Sequence, residues 1–414
     1  MVWLLAAALL LGLRQLVLVL LGIAALCLHL FYGDGRPEYL IYDVWEALNQ
    51  PQLLAVVLFL FAAAIMTRGA SARRLIDFSL ALTRPLPGGL AFGALLAMAG
   101  FATVAGSAII ALVAIGPALY AALLENNYEK RFAIGLLCAS SVFGLVVPPS
   151  SSFILYGALT GTAVPELFVA GIGPALVLIG LLAAYIFVRH ARRDRGRWAP
   201  QELWEATQKA LPALVVPIVI LSGIYTGYLT LTEAGLVAVV LAVGSEVAVH
   251  GELDGADLWE ASLATCRQFG TLVLIFAFAA SINTFLLYQQ VPQQLLAVLQ
   301  GTVDSRGEFL LFSNLLMLFA GLLLDGTSAL LVTSSLLEPL AQSFGITSVH
   351  YATMLVLNLG LGCLLPPAGT ILLAAMTVFE AGFIQVVRAV IPVIGILLTA
   401  LVVVTLVPGI SNFL

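Results

Sequence analysis

Apolar stretches near 2–31, 49–67, 88–124, 132–160, 165–188, 210–227, 232–249, 264–288, 307–342, 350–378 and 385–408 follow one another along the chain. A helix that crosses a bilayer needs about 20 mostly apolar residues, and most of these stretches are of that order. Two are not. Segments 88–124 and 307–342 are too long for one crossing and too short for two comfortable ones, and each carries small residues at its middle. That pattern predicts a re-entrant hairpin, two half-crossings that meet at a tip and return to the same side. Non-helical backbone at that depth has to be packed in protein or line a cavity. Two further pieces, Ala70–Thr83 and Gln201–Ala210, mix charges with apolar residues and are expected along the interface. The first stretch, broken by Arg14 and Gln15, is longer than the core of a signal peptide and is expected to be a retained first helix.

Composition narrows the class. Of 414 residues, 62% are hydrophobic and 9% charged, against about 25% charged in an ordinary soluble domain. So few charges cannot cover a water-facing surface, so lipid is the solvent for most of the chain, and a separate soluble catalytic domain is excluded. The net charge of −5 gives no sign of nucleic acid. Cys27, Cys138, Cys266 and Cys363 show no paired or metal-ligand spacing and read as small buried hydrophobes. There is no Walker glycine loop, no nucleophile with a base in reach of a motif, and the four histidines lack metal spacing. An enzyme, an organic cofactor, a transition metal and ATP-driven transport are all disfavoured.

The basic residues test the hairpins. Arg189-His-Ala-Arg-Arg-Asp-Arg-Gly-Arg197 is the strongest basic cluster, and such loops stay cytoplasmic. Counting crossings outward from it, with both long segments as hairpins, also places Arg68, Arg73, Arg74, Arg84, Lys130, Arg131, Lys209, Arg267 and Arg388 inside. Arg36 and Arg306 fall outside. A full crossing at either long segment would break this bias. The N-terminus is then cytoplasmic and the C-terminus external, with the first hairpin opening inward and the second outward.

A repeat lies beneath this arrangement. Val104-Ala-Gly-Ser-Ala-Ile-Ile110 is followed by Ser140-Ser-Val-Phe-Gly-Leu-Val-Val-Pro-Pro-Ser150, and Leu324-Asp-Gly-Thr-Ser-Ala-Leu330 by Asn358-Leu-Gly-Leu-Gly-Cys-Leu-Leu-Pro-Pro-Ala368. From Gly106 to Pro148 is 42 residues, and from Gly326 to Pro366 is 40. Ser140 and Asn358, Gly144 and Gly362, and the two Pro-Pro pairs fall in the same order. Hairpins that open on opposite sides make the repeats inverted, the build that secondary transporters use to place a site between the repeats. Two successive prolines give the preceding turn no N–H and push the residue before them toward extended backbone. Carbonyls of Gly144 and Val147, and of Gly362 and Leu365, are therefore expected to be freed. In lipid they need a partner, and Na⁺ takes oxygen ligands without requiring a carboxylate. A proline kink satisfied by Ser, Thr or water is the plainer reading of either break alone.

At these residues the chain resembles the large membrane subunit of the tripartite ATP-independent periplasmic (TRAP) transporters. The carrying segments are Gly106-Ser-Ala108, Pro148-Pro-Ser150, Tyr156-Gly-Ala-Leu-Thr-Gly161, Leu167-Phe-Val-Ala-Gly171, Thr232-Glu-Ala234, Leu324-Asp-Gly326, Asn358-Leu-Gly-Leu-Gly362 and Pro366-Pro367. The resemblance implies an all-α polytopic protein of the bacterial inner membrane, with inverted repeats that each hold a re-entrant helical hairpin and a Pro-Pro broken helix. It implies Na⁺-driven import of a small organic acid by an elevator movement of the hairpins and broken helices against a scaffold. A small four-helix membrane subunit and a periplasmic substrate-binding protein are the implied partners. One Na⁺ site would use Gly106, Ser107, Gly144, Val147 and Ser150, and a second Gly326, Thr327, Gly362, Leu365 and Ala368. Many relatives carry Thr before the second Pro-Pro, where this chain has Leu365, so that site loses a hydroxyl. The family's Gly-x-Pro in the first helix is also missing, with Arg14-Gln15 there instead.

The expected organisation is a scaffold and interfacial arm at 1–84 and a first core at 85–188, holding the hairpin 88–124 and broken helix 132–160. A basic loop and scaffold helices at 189–290 lead to a second core at 291–378, with the hairpin 307–342 and broken helix 350–378, and 379–414 is a closing arm and helix. Asp325 beside the second tip is expected to serve cation or substrate, with capping of the second half-helix as the plainer role. Ser140, Ser328 and Asn358 are expected to support the site, Asn358 by hydrogen-bonding hairpin backbone. Thr232-Glu233 reads as a cap, Asn283 and Arg14 as packing or interface residues, and Glu125 and Glu338 as hairpin ends. Two other functions remain open on these residues: a stand-alone Na⁺/carboxylate symporter needing no binding protein, and a structural subunit whose breaks only kink helices.

Overall fold

The computed structural model describes residues 17–32, 36, 38–192, 196–299, 303, 305–324 and 326–412. Arg14, Gln15 and Asp325, and residues 193–195 of the basic loop, lie outside the described residues.

Among the described residues the chain is helical, with no strand. Helices α1 (Val17–Tyr32) and α2 (Glu38–Leu48) precede α3 (Pro51–Arg68) and the arm helix α4 (Ser71–Thr83). The first unit is α5 (Gly89–Ala105), α6 (Ala108–Glu125), α7 (Lys130–Ser141), the single turn α8 (Phe143–Val146) and α9 (Ser151–Thr160). Then come α10 (Val164–His190), α11 (Pro200–Tyr225), α12 (Leu231–Val243, prolonged by a wider turn to Val249), α13 (Gly255–Tyr288) and α14 (Val291–Leu299). The second unit is α15 (Arg306–Leu323), α16 (Gly326–Ser343), α17 (Ser348–Gly362) and α18 (Thr370–Val378), and α19 (Phe383–Leu406) closes the chain. Eight described segments are long and apolar enough to cross a membrane.

Both long segments fold as hairpins. Gly106 takes a left-handed φ of 58° and its N–H caps Ala102, after which Ser107 is extended and α6 begins. A side chain would be strained there, so the glycine is what ends α5 and lets α6 turn back along it. In the second hairpin the bases meet, with Phe309 stacked on Phe344 at 4.8 Å between centroids. The arms hold 17 to 18 residues each, roughly 26 Å at 1.5 Å per residue. Their outer ends follow the long apolar segments 88–124 and 307–342 to within one residue.

The units interlock. The helix after the first break, α9, packs on α16 of the second hairpin, and the helix after the second break, α18, packs on α6 of the first. Each hairpin's leading arm packs instead on the pre-break helix of its own unit, α5 on α7 and α15 on α17. The two pre-break helices touch where Gly360 meets Val142. This reciprocal exchange is the packing counterpart of the sequence repeat. It also explains why 94% of the apolar window in Lys130–Thr160 is buried, against 28% in Pro200–Tyr225. The broken helix has protein on all sides, where irregular backbone is tolerable, and α11 keeps a face for lipid.

Around this core, α3 packs with α12 and α13, and α13 reaches α16. The arm α4 lies on α5 and α11. Gln201–Ala210 is not a separate interfacial piece as expected but the first part of α11, which starts at Pro200 and runs on through Pro212 and Pro217. Glu246, fully buried at the end of α12, accepts hydrogen bonds from the Ala70 N–H (2.8 Å) and the Ser71 hydroxyl. It thereby caps α4 from another helix. Ion pairs Arg68–Glu260, Arg74–Glu252, Arg84–Glu202 and Arg189–Glu129 gather at one end segments that the basic-residue count places on one side. Thr230 and Glu233 form the capping box of α12, so the capping reading of Thr232-Glu233 holds with Thr230 as the cap. Asn283 donates to the Leu159 carbonyl at 3.4 Å, a packing contact between α13 and α9.

Candidate functional site

The first tip and the first break are in direct contact. A Cβ built on Gly144 would sit 2.9 Å from the Ala102 carbonyl oxygen, 2.9 Å from the Ser107 carbonyl carbon and 3.1 Å from the Ala108 nitrogen. A side chain there would drive the tip away. The hydroxyl of Ser151, at the start of α9, donates to the Gly106 carbonyl at 3.0 Å. Ser150 is fully buried and donates to the Leu145 carbonyl at 2.6 Å, taking the bond that Pro149 has no N–H to make. The Val147 N–H bonds Phe143 at 2.8 Å and so passes over Gly144, whose usual partner four residues on is Pro148. Gly106, Ser107, Gly144, Val147 and Ser150 are thus brought together around the tip and break. Ser140 is buried in α7, and its hydroxyl donates to the Leu136 carbonyl of its own helix.

The second unit is built differently. Gly362 lies against Gly321 of α15, where its Cβ would stand 2.8 Å from the Gly321 Cα. Gly326 approaches Cys363 Sγ, at 3.4 Å from a built Cβ, and Leu145 of the first break, at 3.7 Å. Here the carbonyls expected to be free are engaged. The Leu365 N–H bonds Gly362 at 3.0 Å, and the Leu365 carbonyl accepts from the Gly369 N–H at 3.0 Å. Ala368 is exposed. The physical reason is one extra residue: α9 starts two residues after its Pro-Pro, at Ser151, whereas α18 starts three after, at Thr370. The additional residue closes a turn onto the break. Thr370, not Ala368 or Gly369, therefore takes the place that Ser151 holds in the first unit.

Asn358, fully buried, donates to the backbone carbonyl of Asn314 at 3.0 Å and to its side-chain oxygen at 2.7 Å. It ties the pre-break helix to the hairpin arm, as expected. Ser328 is fully buried in the first turn of α16.

Between the tips lies a cavity of about 290 Å³ whose wall includes Ser107 of the first tip, Gly326, Thr327 and Ser328 of the second, and Thr370 of the second break. Gln268 and Thr271 of the scaffold helix α13 complete it. A larger space of about 530 Å³ opens at the base of the first hairpin, beside Asp77, Arg84 and Glu202. It touches neither tip nor break. Thr370, Gln268 and Thr271 were not among the residues expected from the sequence. Thr370 could have been found by aligning the helix starts after each Pro-Pro in place of the prolines, whereas nothing local marks Gln268 or Thr271.

Comparison with known proteins agrees with this architecture. The family described as tripartite ATP-independent periplasmic transporter, DctM component, matches residues 3–410. The ectoine/5-hydroxyectoine TRAP transporter large permease protein UehC of Ruegeria pomeroyi is 32% identical over 412 residues, covering 98% of this chain and 96% of that one. The C4-dicarboxylate TRAP transporter large permease protein DctM of Pseudomonas aeruginosa is 31% identical, covering 94% of this chain and 92% of that one. Among solved structures, the YdaH transporter of Alcanivorax borkumensis, described as having an unusual topology, superposes with a TM-score of 0.57. It is 15% identical and covers 92% of this chain and 90% of its own.

Proposed function

The chain belongs to the DctM component family of the tripartite ATP-independent periplasmic transporters, and from that membership we propose that it imports a small organic acid coupled to Na⁺. It is a transport protein and not an enzyme, a multi-pass large permease subunit. In the proposed assembly a small membrane subunit extends the scaffold, and a periplasmic binding protein delivers the solute. The chain sits in the inner membrane, N-terminus inside and C-terminus outside. Ectoine and C4-dicarboxylates, named for the two relatives, bracket the chemistry of the solute.

The observation that carries the coupling is the contact of Gly144 with the backbone of the first tip. A tip and break so close that a Cβ on Gly144 would stand 2.9 Å from the tip backbone, with Ser107 at the cavity wall and the Gly144 carbonyl passed over by Val147, form a compact set of oxygens without a carboxylate. That chemistry suits Na⁺, which would organise the tip before solute is held. Elevator movement is supported by the interlock of the two units, since neither hairpin can travel without the other's post-break helix.

Proteoliposomes containing the chain with its membrane and periplasmic partners should take up the solute when Na⁺ is high outside. Uptake should collapse when the Na⁺ gradient is dissipated, while a pH gradient alone gives none. Uptake that follows pH and ignores Na⁺ would sink the coupling. Uptake at full rate without the binding protein would instead identify a stand-alone symporter.

A further inference from the structure

We propose that a cavity between the ends of α1 and α13 and the short helix α2 binds a compact organic cation, an ammonium or guanidinium group, against the carboxylate of Asp43. The cavity holds about 280 Å³ and touches neither tip nor break. On the orientation proposed above it opens to the outer face. Two sources carry that chemistry there, a free amine and the Lys or Arg side chain of a protein. The proposal does not rest on Na⁺ coupling.

The first observation is a carboxylate with one oxygen in use and one idle. Both α1 and α2 pack on α13, and three side chains tie them together. The Ser281 hydroxyl donates to Asp43 Oδ2 at 3.0 Å, and its oxygen stands 3.0 Å from His29 Nε2. With the ring proton on Nε2, a neutral His29 completes that chain. No Lys or Arg among the described residues pairs with Asp43; its ion-pair neighbour is His29, at 3.5 Å. Arg36 donates instead to the Tyr39 hydroxyl at 3.2 Å. Asp43 Oδ1 makes no hydrogen bond or ion pair among the described residues. The side chain keeps 14% of its surface open where it lines the cavity. Burial pushes its carboxyl above the usual range, Ser281 and His29 draw it back in part, and Glu46 pushes it further. A desolvated carboxylate without a cation is costly, and a positive group at Oδ1 removes that cost.

The second observation is what surrounds that oxygen. Tyr39, Phe285 and Tyr288 line the same cavity, and Phe285 meets the His29 ring edge-on at 5.1 Å. Aromatic faces attract ammonium and guanidinium groups, and beside a carboxylate they form a cage for one. The described wall has no Lys or Arg to meet an anion. Of the undescribed residues nearest in sequence, 33–35 and 37, only Asp34 ionises, and it is acidic. The rim is held in place. Gln289 Nε2 donates to the Tyr32 carbonyl at 3.1 Å, fastening the end of α13 to that of α1. Next to it Gln290 takes a left-handed φ of 54°, a conformation that persists only where the surroundings enforce it. The cavity is therefore formed in advance, as small-molecule sites usually are, while Tyr288 stays 84% exposed at its edge.

The test is isothermal titration calorimetry of the purified full-length chain in Na⁺-free buffer, with methylguanidinium and tetramethylammonium as probes. At least one should bind. Asp43→Asn keeps an acceptor for Ser281 and should weaken that binding about 10-fold or more. Tyr288→Ala, at an exposed position, should weaken it about 2- to 5-fold, and Tyr288→Phe should bind like the parent. Silence from both probes would overturn the proposal, as would parental binding in Asp43→Asn or in Tyr288→Ala. Displacement of the probe by K⁺ as readily as by the other organic cation would overturn it too, since the cage would then be a plain ion site. N-acetylarginine methylamide separates the sources. Binding at least as tight as that of methylguanidinium points to a protein side chain, its exclusion points to a free amine, and both support the site. Probe binding beside uptake that ignores Na⁺ supports this assignment and counts against the coupling instead.

Discussion

Replacing Gly144 by alanine should disable the response to Na⁺ before it disables the fold. Backbone atoms of the tip stand 2.9 Å from where the new methyl carbon would be, and ordinary contact begins near 3.4 Å. The deficit is about 0.5 Å, and the neighbours are a carbonyl and a turn that cannot swing aside like the end of a side chain. Overpacking of this kind costs about 1–3 kcal/mol. The tip joins two helices at a left-handed glycine, so it is the softer partner and takes most of the displacement. If half of the cost falls on the tip-to-break geometry, the Na⁺ midpoint rises about 2- to 12-fold. The assay is Na⁺ titration of the unfolding temperature, repeated as Na⁺ titration of uptake in proteoliposomes. Gly100→Ala is the control: it lies in α5, the arm that leads to the tip, and its added carbon would meet nothing within 4 Å. Helix propensity favours alanine there by about 1 kcal/mol, so that variant should be at least as stable as the parent with an unaltered midpoint. A folded Gly144→Ala protein with the parent's Na⁺ midpoint would refute the role of the tip contact.

Gly362→Ala should also destabilise, by about 1–3 kcal/mol, because its Cβ would meet the Gly321 backbone at 2.8 Å. Its unfolding temperature should fall with little change in the Na⁺ midpoint, since the second break's carbonyls are already hydrogen-bonded; a midpoint shift as large as that of Gly144→Ala would contradict this asymmetry. Glu246→Ala should cost about 1–3 kcal/mol by stranding the Ala70 N–H and the Ser71 hydroxyl, and hydrogen exchange should show α4 fraying first, with uniform loss across the chain as the contrary result. Asp254 caps α13 by accepting from the Ala256 and Asp257 N–H groups at 2.8 and 2.9 Å, and backbone hydrogen bonds involving Asp257 and Ala256 hold its carboxyl below the usual range. Because the folded value is depressed, its stabilisation is complete above the unfolded pKa of about 4 and is lost as pH falls through the folded value. Asp254→Ala should therefore unfold at lower temperature than the parent at pH 7, with the gap closing in acid; a gap independent of pH would rule out the charged cap.

Much of the fold could be read from periodicity and spacing. The two hairpins, the two breaks and the arm helix follow from segment length and from Gly and Pro, whose backbone effects act within a turn or two. What could not be read depends on contacts far apart in sequence. That Glu246 caps a helix beginning at Ser71 is set by the packing of α12 on α3, and no local pattern announces it. The join of Gln201–Ala210 to α11 was hidden because the composition changes from charged to apolar near Ala210, while the helix runs on past it and through Pro212. At the candidate site, the residues singled out in the first unit lie close together because they are local to one tip and one break. The second did not, because one additional residue after Pro367 shifts the start of α18 and turns Ala368 outward. Sequence spacing measured to the prolines was the wrong ruler there; the helix start carries the register.

That shift gives the two units different work. In the first, Ser150 and Ser151 satisfy Leu145 and Gly106 and tie the tip to the break, the place proposed above for a cation. In the second, the turn closed by Gly369 satisfies the break from within and leaves the Thr370 hydroxyl over. The reciprocal packing then couples the halves mechanically: α18, which carries Thr370, lies on α6, the helix that starts at the first tip. Any ion that sets the position of the first tip also sets the position of α6, and hence of Thr370 in the cavity. A cation bound in one unit would thus bias the other without touching it, the differential interaction that coupling requires.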